Sequence, residues 1–118
     1  MKQHGISDMV SAPSSTEGNA HVWNQFTIRI AGGQRDAVRA QLAEKNVGSE
    51  IYYPIPLHEQ ACFKYLGYNK GSLPVTEQAA AEVLALPIFP ELTLAEQEYA
   101  VASLAEIVVG SGGVRRAA

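Results

Sequence analysis

Ile51-Tyr52-Tyr53-Pro54-Ile55-Pro56-Leu57-His58-Glu59-Gln60-Ala61-Cys62-Phe63 sets an imidazole and two phenols beside two prolines. Pro54 and Pro56 have no amide hydrogen to give a ladder, and each holds the residue before it extended. Ser49 to Tyr53 therefore reads as a short strand that gives way to an irregular loop or sheet edge. Along a regular strand Tyr52 and Tyr53 point to opposite faces, so one is expected to pack on the core and the other to meet solvent or a ligand. His58, carried on the Pro-constrained loop, is positioned at low entropic cost. It suits a hydrogen bond to a phosphate or a sugar hydroxyl, for which it should be at least partly accessible, or alternatively it is a partly buried imidazole bonded to a backbone carbonyl. Glu59 is expected to be solvated, while Gln60 could bond a sugar hydroxyl.

Upstream of this stretch, Phe26, Ile28 and Ile30, with Val22 before them, fall on one side of an extended segment, and Thr27 and Arg29 fall on the other. This is the pattern of a half-buried strand, ended by Gly32-Gly33. Gln34 to Asn46 follows as a helix with Val38 and Leu42 one turn apart and Asn46 and Gly48 as its stop. Downstream, Ala61 to Tyr68 predicts one or two helical turns ending at Gly67. Pro74 suits the first turn of a helix over Val75 to Leu86, and Leu86-Pro87-Ile88-Phe89-Pro90 reads as a connector turning Ile88 and Phe89 inward. Thr93 with Glu96 forms a capping box, and Leu94, Val101, Leu104 and Val108 line one face of a last helix. The fold class is α+β: a small antiparallel or mixed sheet with helices packed on one face.

The 118 residues suffice for one modest core, burying somewhat under ~70% of the unfolded surface. Residues 1–20 read as a flexible leader, 21–109 as the folded domain and 110–118 as a Gly-rich tail. A net charge of -3 gives no electrostatic reason for a nucleic-acid partner. The chain shows neither a signal-peptide core nor the ~20 apolar residues of a membrane span. The single cysteine, Cys62, cannot form an internal disulfide, which fits a reducing cytoplasm, and its apolar neighbours predict a small buried hydrophobe. His58 has no partner at metal-ligand spacing. No Gly-x-Ser-x-Gly elbow, Gly-x-Gly-x-x-Gly or Walker A pattern occurs. Glu77, one turn into the Pro74 helix, is expected to act structurally at the positive helix end.

Together with Leu73-Pro74-Val75-Thr76-Glu77 and Leu86-Pro87-Ile88-Phe89-Pro90, the opening stretch resembles the C-terminal part of the DegT/DnrJ/StrS family of pyridoxal-phosphate (PLP) sugar aminotransferases. The resemblance runs from about Gly18 to Val109 and includes His21-Val22-Trp23-Asn24-Gln25-Phe26-Thr27-Ile28-Arg29 and Arg35-Asp36. It implies the C-terminal subdomain of a fold-type I PLP enzyme, with His58, Tyr53 and Tyr52 approaching a nucleotide-linked sugar. It also implies that the Schiff-base lysine and the phosphate-binding loop belong to a separate large domain, since Lys2, Lys45, Lys64 and Lys70 do not match the family's lysine context. The expectation is a detached domain with no catalytic residue and no cofactor of its own. Its partners would be the PLP domain or a second copy of itself, and an interaction module is the alternative.

Overall fold

Phe26–Ile30 builds the middle strand of the sheet, here β2, because Ile28 and Ile30 alternate with Arg29 and bury fully while Arg29 stays at the surface. β1 (Val10–Ser11) pairs on one side of it, Val10 opposite Ile30, and β3 (Val83–Leu86) pairs on the other, Ile28 opposite Leu84. Both pairings are antiparallel, in the order β1-β2-β3. The computed structural model describes residues 9–113, so the expectations for Met1 to Asp8 and for Val114 to Ala118 lie outside the described residues.

Pairing of β2 stops at Phe26 opposite Leu86, because the next residue on the partner strand is Pro87, which has no amide to offer. Val22, expected on the inner face of this strand, is consequently 89% exposed. The stretch read as a leader contributes to the sheet. Val10 is buried in the core and the Met9 carbonyl accepts the Ala31 N–H at 2.9 Å. Two paired residues are too few to show a period in the sequence, so only the partner strand reveals them.

α1 (Arg35–Glu44) buries Val38 and Leu42 as their spacing predicts. It ends where Asn46 takes φ 57°, with Val47 N–H bonded to the Leu42 carbonyl and Asn46 N–H to that of Ala43, both at 2.9 Å. This is a Schellman stop with asparagine in the left-handed position. The strand expected over Ser49 to Tyr53 reduces to one bridge, in which Glu50 and Ala85 exchange both backbone hydrogen bonds. Pro54 and Pro56 follow within a few residues and cannot extend the ladder.

α2 (Pro74–Glu82) starts with proline in its first turn, but it ends four residues short of the expected Leu86. Val83–Leu86 leaves the helix as β3, in which Leu84, Ala85 and Leu86 are all buried. A strand covered on both faces shows no alternation and looks like helix in sequence. α2 buries no side chain of its own. Two arginines hold it instead. Arg29 on β2 binds Glu82 at 2.6 Å, and the buried Arg35 donates through Nη1 to the Ala80 and Val83 carbonyls at 2.9 and 3.0 Å.

α3 (Leu94–Gly113) begins with the expected capping box. Glu96 N–H donates to Thr93 Oγ1 at 3.3 Å, while Thr93 N–H and Oγ1–H donate to Glu96 Oε2 at 2.8 and 2.7 Å. Leu104, Ala105, Ile107 and Val108 join Val38 and Leu42 of α1 and the inner side chains of all three strands in one core. Leu94 is exposed rather than inward, and Val101 is only half-buried. The backbone of Gly110 to Gly113, read as the start of a tail, continues this helix. Among the described residues no helix is long and apolar enough to cross a membrane.

Candidate functional site

The Pro-rich stretch folds into two 3-10 turns, Leu57–Glu59 and Ala61–Leu66, the second stopped by Gly67 at φ 76°. The first turn carries His58 inward. The imidazole is only 7% exposed, correcting the expectation of an accessible side chain, and its partner is a carboxylate rather than a carbonyl: Nε2 lies 3.1 Å from Glu77 Oε1. Nδ1 is buried without a hydrogen-bond partner among the described residues, and the Tyr68 ring stands perpendicular to the imidazole with centroids 6.3 Å apart.

Tyr52 and Tyr53 are 52% and 67% exposed, so neither packs on the core as one of them was expected to. Alternation fails because residues 51–53 are not a ladder strand beyond the Glu50 bridge. With Ile55, Leu57, Tyr65 and Leu66, they give this segment a run of exposed apolar side chains. Gln60 turns back to its own loop, its Nε2 donating to the Ile55 carbonyl at 3.3 Å. Glu59 is half-buried rather than solvated, and its Oε1 comes within 3.9 Å of His58 Nε2. Cys62 is exposed, contrary to the buried hydrophobe expected of it, because the second 3-10 turn buries none of its side chains.

Glu77 is the residue that the sequence reading placed at a helix end without its true partners. Pro74 at the first position of α2 lets Glu77, one turn on, fold back over the turn before the helix. Gly71 N–H donates to both carboxylate oxygens at 2.8 Å and Leu73 N–H to Oε1 at 3.2 Å. Burial pushes the Glu77 carboxyl up, but the Gly71 N–H, His58 and the Leu73 N–H together outweigh it and hold the group below its ordinary value. Nineteen residues separate His58 from Glu77, and no local spacing signals such a pair. The nearest clue is the Pro74-Val75-Thr76-Glu77 sequence itself.

Because the folded state holds Glu77 at a lower pKa than the unfolded chain, its contribution to stability is complete above the ordinary carboxylate range. That contribution is lost as pH falls through the depressed folded value. Glu82, held down by the Arg29 guanidinium, and Glu96, held down by Thr93, shift the same way. The difference between wild type and Glu77→Gln isolates the first group: urea midpoints should be well separated at neutral pH and converge on acidification. A constant separation across that range would contradict the assignment.

The ligand atoms of His58, Glu59 and Glu77 all lie within 4.8 Å of one another, so folding supplies the neighbours that sequence spacing did not. The Glu77 oxygens already accept backbone N–H groups, and the cluster reads as a hydrogen-bond network. The features that a PLP phosphate and Schiff base require take another form in these residues. Lys45 bonds Glu106 at 2.9 Å, which holds its ammonium above the ordinary value, opposite to an amine prepared for carbonyl attack. Each α-helix among the described residues has a carboxylate of the chain in its first turn, Asp36, Glu77 and Glu96, where a phosphate would otherwise sit. Lys45 is thus held in an ion pair, and each of these helix starts is already taken by a carboxylate of the chain.

Elsewhere on the molecule, Phe26, Leu86, Ile88, Phe89 and Tyr99 line an apolar cleft of about 660 Å³. Ile88 and Phe89, expected to point inward, are 39% and 46% exposed along its wall. The cleft shares no residue with the His58 network.

A family model described as the DegT/DnrJ/EryC1/StrS aminotransferase family matches residues 3–105. The pleiotropic regulatory protein of Geobacillus stearothermophilus is 43% identical over 104 residues, which are 88% of this chain and 27% of the relative. The dTDP-3-amino-3,6-dideoxy-alpha-D-galactopyranose transaminase of Aneurinibacillus thermoaerophilus is 36% identical over 99 residues, 84% of this chain and 26% of the relative. Among solved structures, NtdA of Bacillus subtilis with bound cofactor PMP superposes with a TM-score of 0.75 at 30% identity, over 92% of this chain and 25% of its own. The chain thus spans about a quarter of the length of the relatives it matches.

Proposed function

Because this chain belongs to the DegT/DnrJ/EryC1/StrS aminotransferase family, we propose that it is the C-terminal, substrate-facing portion of a PLP-dependent nucleotide-sugar aminotransferase. The observation that carries the reading is the family match across residues 3–105, together with relatives named as transaminases of nucleotide-linked sugars. In this reading a cofactor-bearing domain supplies the Schiff-base lysine and the pyridine-facing carboxylate. The present domain borders the sugar through the segment of Tyr52, Tyr53 and His58.

The two exposed phenols are suited to packing on a nucleobase or sugar face, whereas His58 acts from below the surface, its imidazole covered and bonded to Glu77. The Lys45–Glu106 pair and the carboxylates at the three helix starts support the view that this stretch alone holds no PLP. The partners are a PLP domain of the same family and, through the exposed Tyr52, Tyr53, Ile55, Leu57, Tyr65 and Leu66, a second copy of the protein. That run of apolar residues also favours a second reading, an interaction module that docks on a homologue or self-associates without chemistry of its own. A cytoplasmic setting is consistent with one unpaired, exposed cysteine.

The test is incubation of the 118-residue chain with PLP and an amino donor, followed by borohydride reduction and mass analysis. The expected result is no fixed adduct and no amino transfer by the chain alone. Turnover of a nucleotide-linked keto sugar should appear when the chain is joined to a family cofactor domain. An adduct at Lys45, Lys64 or Lys70 accompanied by turnover would defeat the proposal, and failure of the joined protein to transfer an amino group would favour the interaction module.

A further inference from the structure

We propose that Glu77 is a positioning residue whose single carboxylate fixes the His58 imidazole in the Nε2–H tautomer and pins the turn 69–73, so that the two segments move as one unit. Only the identity of the ligand served by this unit rests on the aminotransferase reading. The unit itself stands on geometry.

Every partner presented to the Glu77 carboxylate is a donor. Gly71 N–H reaches both oxygens at 2.8 Å and Leu73 N–H reaches Oε1 at 3.2 Å, and a backbone amide cannot exchange its donor for an acceptor. Oε1 lies 3.1 Å from His58 Nε2. With the proton on Nε2 this is a charge-assisted hydrogen bond. With the proton on Nδ1 instead, two penalties would arise together. The Nε2 lone pair would face a carboxylate oxygen, and a buried Nδ1–H would have no acceptor among the described residues. The other groups facing the imidazole offer Nδ1 no oxygen acceptor: Glu59 is 3.9 Å away and on the Nε2 side, and the Tyr68 ring stands at 84° to the imidazole with centroids 6.3 Å apart.

The turn that Glu77 holds is internally closed. Asn69 N–H donates to Ser72 Oγ at 3.1 Å, Ser72 N–H donates to the Asn69 carbonyl at 3.0 Å, and Gly71 sits at φ 90°, where a side chain would be strained. It is thus a preformed loop fastened to α2 through one carboxylate. Since His58 lies in the 3-10 turn that directly follows Tyr52 to Pro56, the same carboxylate sets where the exposed tyrosine segment begins its return to the core.

The experiment is NMR on the isotopically labelled 118-residue chain, reading the His58 ring nitrogens and the amide exchange rates of Gly71 and Leu73, with Ile28 and Leu84 as reporters of the global fold. Wild type should show a protonated Nε2 and a bare Nδ1. In Glu77→Gln the side-chain amide can turn only one acceptor toward these donors. The single tautomer should then be lost, and Gly71 and Leu73 should exchange faster by about tenfold or more beyond whatever acceleration the lowered global stability gives Ile28 and Leu84. Glu59→Gln should behave as wild type. A proton on Nδ1 of the wild-type chain would overturn the proposal, and so would unchanged Gly71 and Leu73 exchange in Glu77→Gln. The wild-type measurement needs no variant and decides the tautomer even if the Gln variant does not fold. All readouts come from the chain itself and stand or fall apart from the test of aminotransferase activity.

Discussion

Arg35→Ala should lower the unfolding free energy by about 3 kcal/mol, in the range expected for losing charge-assisted hydrogen bonds to buried groups. The guanidinium is buried, and its Nη1 is shared between the Ala80 and Val83 carbonyls, the point at which α2 ends and β3 begins. A cation at a helix C-terminus also answers the helix dipole. Its Nε partner Asp36 is exposed, so removing Arg35 does not strand a buried carboxylate, and the cost falls on the two carbonyls. For a domain of this size the melting temperature should fall by roughly 12–24 °C. Arg35→Lys should recover only part of the loss, because one ammonium lacks the planar fork that places the Arg35 donors. Urea unfolding with an unchanged slope would confirm the mechanism, and a loss below about 1 kcal/mol in Arg35→Ala would refute it.

Ile28→Ala should cost about 3–4 kcal/mol, the sum of lost transfer energy and the cavity left in the middle strand. Ile28 has no exposed surface, sits opposite Leu84 and touches the core shared by α1 and α3. Tyr53→Ala, two-thirds exposed, should stay within about 0.5 kcal/mol of wild type. The contrast separates a fold-bearing position from a surface position in one pair of thermal melts. A loss at Tyr53 as large as that at Ile28 would mean that the phenol packs on something in solution.

Both effects depend on contacts between distant parts of the chain, and this is where legibility in the sequence stops. The periodic elements could be read directly. Val38 and Leu42 of α1, Ile28 and Ile30 of β2, the Thr93–Glu96 box and the stops at Asn46 and Gly67 each follow from short-range chemistry. β1 and β3 could not. Two residues carry no period, and a strand buried on both faces runs on from an Ala-rich helix without a change of composition. The proline-dense stretch was legible as irregular, but the direction of its side chains was not. Once pairing ends at the Glu50 bridge, alternation ceases to govern Tyr52 and Tyr53, and both face outward.

By itself the sequence determined the α+β class, the amphipathic helices and, through three ordered Pro-punctuated segments, the family, because these depend on residues within a few positions of one another. Tertiary structure alone decided that His58 is covered rather than open, that its partner is Glu77, and that Arg35 of α1 closes the end of α2. Each of those contacts joins residues 19 to 48 positions apart. The entropy of closing such loops is met by the shared core, so no local spacing records them.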